Sequence, residues 1–253
     1  MCTLIVAHKL FEGFPIVVAA NRDELLDRPS EPPCIRDSGI FAPKDLQRGG
    51  SWIGVNEHGV FTALTNLSKI RSEYGRMSRG ELVMQVLHNK TAKTAFEKTE
   101  NLKGEQFNGF HLVIADSNEM YLLKGNGTII ERFIKSNQLL VATNWGVAGK
   151  IYSHVHDRCR NILEAWKENS IENSAPTPET LSRLLNIHDP CVINGTCIHQ
   201  PDINYGTKSS SIIRLREGDN EEWEYWHRER TSTERHICEE AFAPKMTFGI
   251  KKV

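Results

Sequence analysis

A chain of 253 residues, 39% hydrophobic and 25% charged, carries enough apolar side chains for a substantial core and has neither a disordered nor a membrane composition. Lys and Arg number 31 against 32 Asp and Glu, a net charge of −1 without any basic block, so nucleic acid is not an expected partner. The longest apolar runs, such as residues 14–20, are too short for a membrane span.

The chain opens MCTLIVAHKL. Residues 3–8 and 15–20 are rich in β-branched side chains and flank a turn-like Phe11-Glu12-Gly13-Phe14, which predicts an antiparallel hairpin. The second run is apolar throughout, as in a strand covered on both faces. Residues 21–33 are polar and punctuated by Pro29, Pro32 and Pro33, so a loop is expected there. Gly49-Gly50-Ser51-Trp52-Ile53-Gly54-Val55 then reads as a turn entering a strand. With the turn Asn56-Glu57-His58-Gly59 and residues 60–65, it predicts a second hairpin.

Ser78-Arg79-Gly80-Glu81 has the order of a capping box, and Leu82, Val83, Val86 and Leu87 follow at helical spacing. A second helix is expected over residues 91–100, then strands over 111–115, 120–123, 129–134 and 139–143. Val155, Cys159, Ile162, Leu163 and Trp166 form one apolar helix face, and Thr177-Pro178-Glu179 starts another helix with proline at its first turn. Two last strands are expected around residues 210–215 and 223–228. Strands, helices, strands, helices, strands is an α+β order. It suits two antiparallel sheets stacked face to face with helices outside each, a four-layer αββα sandwich. Residues 169–178 are the most linker-like, but an inter-helix loop explains them, so residues 1–253 are read as one domain.

No basic n-region precedes an apolar stretch, so no secretory signal is read at the start. Six cysteines lie scattered without a C-x-x-C pair, which points to free thiols in a reducing, cytoplasmic setting. Cys191 and Cys197 flank a loop and could meet. The same scatter offers no metal-ligand spacing, so no metal site is expected.

Removal of the initiator methionine leaves Cys2 with a thiol and a free α-amine on one residue. That is the self-contained nucleophile and base of an N-terminal nucleophile hydrolase; the plain alternative is a buried strand residue. Such a nucleophile needs oxyanion donors and a polar anchor. Asn21, Asn66 and Asn144 each close an apolar run, where side chains leave a sheet for solvent or a cleft, although turn chemistry also favours asparagine there.

Cys2, Asn21-Arg22-Asp23-Glu24, Arg28-Pro29, Gly49-Gly50-Ser51-Trp52-Ile53-Gly54, Ala63-Leu64-Thr65-Asn66, Thr143-Asn144-Trp145 and Tyr205-Gly206-Thr207-Lys208-Ser209, in this order, resemble the NRDE family of the transport and Golgi organisation protein. The resemblance implies an N-terminal nucleophile hydrolase-like αββα fold. More distantly it implies the layout of the cysteine choloylglycine and penicillin V hydrolases, which cleave linear amides. Carried over, Cys2 is the nucleophile, with Arg22 and Asp23 as its supporting pair. Asn144 and the Asn66 region supply the oxyanion donors, and no cofactor is needed. Lys208 is the nearest match to a further arginine of those enzymes, while Asn21 and Trp145 are expected to contact substrate. Neighbouring strand residues point to opposite faces, so only one of Arg22 and Asp23 is expected to reach Cys2, and Asp23 is favoured. Arg22 is then free to meet a substrate carboxylate or to brace the Asp27 loop.

The family is also associated with haem trafficking and, more loosely, with acyl-lipid homeostasis, so the alternative is a haem or acyl-lipid carrier. His8, His58, His154, His156 and Cys2 are its candidate axial ligands, though the first two positions are more often structural. Arg71, Arg76 and Arg79 read as a solvated face near a helix start; a phosphate contact is the functional alternative.

Overall fold

The computed structural model describes residues 2–36, 39–68, 73–148, 156–169, 171, 174–219, 221–232 and 234–251. The chain begins with β1 (Cys2–Phe11), β2 (Phe14–Leu25), β3 (Ser30–Arg36), β4 (Ile40–Asp45), β5 (Ile53–Asn56) and β6 (Phe61–Asn66). Helices α1 (Arg79–Leu87) and α2 (Ala92–Lys98) follow, then β7 (Phe110–Ala115), β8 (Met120–Gly125), β9 (Ile130–Ile134), β10 (Leu139–Thr143) and β11 (Gly146–Ala148). Next come α3 (Asp157–Glu168), α4 (Pro178–Leu185), β12 (His199–Gln200), β13 (Tyr205–Arg216), β14 (Glu222–Glu229) and β15 (Met246–Gly249).

Two antiparallel sheets result. One runs β11-β10-β1-β2-β13-β14-β15, with β12 paired to β13; the other runs β3 to β9 in chain order. The period-2 alternation of strands sorts their side chains between layers. Leu4, Val6, Val18 and Ile213 meet Phe41, Val113 and Leu122 between the sheets. Ile5, Val17 and Ile212 point the other way, onto Ile162, Leu181 and Leu184 of α3 and α4. Leu64, Leu112 and Ile114 cover Val83 and Val86 of α1. The expected αββα order is therefore present. Each fully buried aliphatic side chain contributes on the order of 2 kcal/mol.

Three local expectations need correction. The strand expected to stop at residue 20 continues to Leu25, because Arg22 pairs with Cys2 on β1 and Asp23 with Thr207 on β13. Partners on both sides hold polar residues extended where their own propensity favours a loop. Pro32 and Pro33 lie inside β3, which is an edge strand whose register shifts between Glu31 and Cys34, so their missing N–H groups break no ladder. Ser78 precedes α1 without capping it; the Glu81 amide bonds to the Ser78 carbonyl instead, at 3.2 Å. Thr91 does cap α2, its hydroxyl accepting from the Thr94 amide. The short strands β4, β11, β12 and β15 had no periodicity long enough to announce them. Val155 lies outside the described residues.

Candidate active site

Cys2 opens β1 at the mouth of the inter-sheet layer. The antiparallel register places it directly opposite Arg22, so both side chains leave the same face of the sheet. Leu4, Val6, Val18 and Ala20 share that parity and fill the inner core. At Cys2 and Arg22 the layer opens into a cleft of about 320 Å³ walled by Trp52, Leu64, Asn66 and residues 73–80. Cys2 as a residue is partly buried rather than entombed.

Arg22 is 4% exposed and anchored: its Nη2 donates to Asp45 Oδ2 at 2.9 Å and its guanidinium lies 4.2 Å from the centroid of the Trp52 ring. Its Nη1 is buried at the cleft and has no hydrogen-bond partner among the described residues. Asp45 also accepts from Arg28 Nε at 2.7 Å and from the backbone amides of Gln47 and Arg48. These bonds keep the Asp45 carboxyl below its usual range even though burial opposes them. Arg22 therefore braces the Asp45 turn, not the Asp27 loop.

Asp23 takes the opposite face, with Thr3 and Asn21. Its carboxylate accepts from Thr207 Oγ1 at 2.6 Å and Arg158 Nη1 at 3.2 Å, and both members of the ion pair are fully buried. Arg158 is held in turn by the Ile193 carbonyl at 2.9 Å. Burial raises the Asp23 carboxyl, against the pull of the amino-terminal charge, Arg158 and Thr207. The side chain on Cys2's face is Arg22's, which reverses the expected choice. Asp23 lies behind Cys2, and its backbone N–H acts to lower the pKa of the Cys2 thiol. Burial raises the Cys2 thiol; the amino-terminal charge and that backbone N–H pull it down.

Asn144 is buried beyond β10, and its Oδ1 accepts from the Cys2 backbone nitrogen. Its Nδ2 makes no hydrogen bond among the described residues. The Asn144 carbonyl accepts from Ser68 N at 2.9 Å, tying the end of β10 to the segment that follows Asn66. Asn66 itself ends β6 and lines the cleft.

Asn21, Trp145 and Lys208 do not line the cleft. The Asn21 Nδ2 donates to the carbonyls of Leu185 and Thr196 while its Oδ1 accepts from Ser210 Oγ, so it is committed to holding the helix layer. Trp145 stacks on His156 at 5.4 Å between ring centroids. Lys208 sits at the β13 register shift and donates to the Leu26 carbonyl at 2.9 Å. Strand pairing and the β13 register shift commit these side chains to contacts away from the cleft.

Arg79, read as solvated, lines the cleft and donates to the Gly109 carbonyl at 2.9 Å. Burial lowers its pKa, while the charges of Cys2 and Glu24 act in the opposite sense. Arg28, Arg48 and Arg76 also line the cleft, so with Arg22 five arginines among the described residues share it with Glu24, Asp45 and Glu73. Arg71 and His154 lie outside the described residues. Arg158 was missed; its signal was a charged residue at positions i, i+4 and i+8 with Ile162 and Trp166, on a helix face that is otherwise buried.

No histidine lines the cleft among the described residues. His8 bonds the Asp116 carbonyl and the Asn137 amide, which uses both ring nitrogens. His156 accepts from Arg158 N at the start of α3. Spacing offered no metal ligands, yet folding gathers His188, Cys197, His236 and Cys238, none of which lines the cleft.

The model of the Transport and Golgi organisation 2 family matches residues 1–232. The chain belongs to this family, also called NRDE. The mouse homologue is 33% identical over 109 residues and the human homologue 32%; each alignment spans 41% of this chain and 40% of the relative. The chain thus covers well under half the length of the curated relatives it matches. Among solved structures, a Caenorhabditis elegans N-acylethanolamine-hydrolyzing acid amidase ortholog superposes with a TM-score of 0.58 at 15% identity, covering 84% of this chain and 92% of that one. The C2A mutant of the conjugated bile acid hydrolase from Clostridium perfringens gives 0.57 at 11% identity, covering 100% and 97%. At such identities the likeness is one of fold, the N-terminal nucleophile hydrolase sandwich. No helix among the described residues is long and apolar enough to cross a membrane.

Proposed function

We propose that this family member is an N-terminal-cysteine amidohydrolase acting on a linear amide that carries an anionic group. The observation that supports it best is the hydrogen bond from the Cys2 nitrogen to Asn144 Oδ1 beside a sulfur that faces the cleft. Once Met1 is removed, that nitrogen is an α-amine beside the thiol, with Asn144 and buried Asp23 to hold it. The amine takes the thiol proton and the thiolate attacks the substrate carbonyl. Asn144 Nδ2 and a backbone N–H near Asn66 stabilise the oxyanion, the kind of donor whose loss costs on the order of 10²–10³ in rate. The C–N bond then breaks as the amine proton passes to the leaving nitrogen, and water hydrolyses the Cys2 thioester. The uncommitted Nη1 of Arg22 and the other cleft arginines favour a carboxylate or phosphate on the substrate.

The test is intact mass before and after an amine-releasing acylating probe. The expected result is a chain lacking Met1 that gains one acyl group on Cys2, with the adduct absent in Cys2→Ala. A probe that acylates the other cysteines but never Cys2 overturns the proposal. In the carrier reading Cys2 is the axial candidate at this cleft among the described residues, and haemin would then block the labelling.

A further inference from the structure

On the helix-covered side of the first sheet, four soft or imidazole donors converge from three separate segments. His188 follows α4, Cys197 precedes β12, and His236 and Cys238 come from the turn that precedes β15. Their ligand atoms all lie within 4.8 Å of one another. Donors about 2.0–2.3 Å from a tetrahedral zinc are about 3.3–3.8 Å apart, so closing the cluster takes movements of about 1 Å. One pair is already there: Cys238 Sγ lies 3.4 Å from His188 Nε2.

The backbone fixes two halves of the cluster without help from the four side chains. The Ile187 carbonyl accepts from both Thr196 N at 2.8 Å and Cys197 N at 3.1 Å, which sets His188 beside Cys197. Gly195 permits this approach, since a Cβ there would lie 2.8 Å from the Ile187 oxygen. A short turn over Ile237–Glu239, closed by Glu239 N to the His236 carbonyl, presents His236 and Cys238 together. Outside the four, the His199 ring stacks on His236 at 3.9 Å and accepts from Arg230 Nη1, fixing the orientation of the His236 ring. His236 Nδ1 is buried without a hydrogen-bond partner among the described residues.

We propose that His188, Cys197, His236 and Cys238 form a zinc site. Two thiolates and two imidazoles suit zinc in type and number, and four protein donors leave no open position, so the site is structural. Binding releases the two thiol protons to solvent and ties the segment after β14 to the end of α4. Only His236 and Cys238 are near neighbours in sequence; His188 stands 9 residues before Cys197, and Cys197 stands 39 before His236, so no short motif marks the four.

Untagged, reduced protein is loaded with zinc, dialysed, and its metal content measured by native mass; a second sample is loaded with cobalt(II). The expected results are one zinc per chain and a tetrahedral cobalt spectrum with a thiolate charge-transfer band. Cys197→Ser and Cys238→Ser should each weaken zinc binding at least about 100-fold, beyond the roughly 10–100-fold typical of losing an outer partner. The wild-type cobalt spectrum needs no variant to fold. Octahedral cobalt, zinc content no higher than in the serine variants, or a Cys197–Cys238 disulfide in freshly isolated protein each overturns the site.

Discussion

Cys2 and Arg22 are cross-strand partners, and Arg22 is held at that position by Asp45 from the other sheet. The bond therefore links the two sheets at the cleft mouth. Its two ends are not equivalent. Arg22→Met leaves Asp45 with Arg28 and two backbone amides, so it should cost about 1–2 kcal/mol. Asp45→Ala strands a guanidinium that is 4% exposed and should cost about 3–5 kcal/mol. Urea unfolding with an unchanged slope measures both; equal losses would mean that Arg22 finds another acceptor.

Gly49 lines the cleft and Gly50 packs on the start of α1, both with positive φ, +68° and +70°. A Cβ on Gly49 meets nothing within 4 Å, whereas one on Gly50 lies 2.5 Å from the Gly80 carbonyl carbon. Gly49→Ala should therefore show only the left-handed penalty, about 1 kcal/mol. Gly50→Ala must also push α1 away and should lose about 3 kcal/mol or more, together with Cys2 acylation. Unfolding midpoints and acyl-adduct yields of the two variants, taken side by side, check this difference.

The sandwich was legible because its strands and helices carry long, clean periods, and Cys2 was legible as a candidate because it directly precedes the first apolar run. Asn66 and Asn144 were legible as the ends of apolar runs. What the sequence concealed was parity and pairing at range. Arg22 and Asp23 are adjacent, but only the register against Cys2 and Thr207 says which face each takes. Asn21 looked like a strand end until β13 extended the pairing past it. Arg158 lies 135 residues from its partner Asp23, and no local pattern encodes such a meeting.

That distant pair separates stability from chemistry. Arg158→Met leaves the buried Asp23 carboxylate with Thr207 as its side-chain donor and should destabilise by about 3–5 kcal/mol. Adding Asp23→Asn removes the buried charge that Arg158 balanced, so most of the lost stability should return. Acylation of Cys2 should not return, because the amide supplies no negative charge to the α-amine. Unfolding curves and adduct yields of the single and double variants test both halves. Full acylation of the double variant would remove Asp23 from the proposed mechanism.

His111 gives the fold an acid-sensitive point between the sheets. It pairs with Thr65 across β6 and β7, and its Nδ1 lies 3.2 Å from the Thr65 hydroxyl. Burial, then the Lys124 charge, lowers its pKa from the ordinary 6.5 to about 4, with the Thr143 carbonyl pulling weakly the other way. The unfolded chain thus takes up a proton below pH 6.5 that the folded chain refuses until about pH 4. The stability tied to the neutral ring is fully present above pH 6.5 and is lost as the pH falls towards 4. By about pH 5 the loss should reach about 2 kcal/mol. Urea unfolding at about pH 7.5 and about pH 5 should show a drop larger by that amount in the wild type than in His111→Gln, which cannot titrate there. Identical drops in the two proteins would mean that the imidazole is charged, or free to reach water, inside the fold.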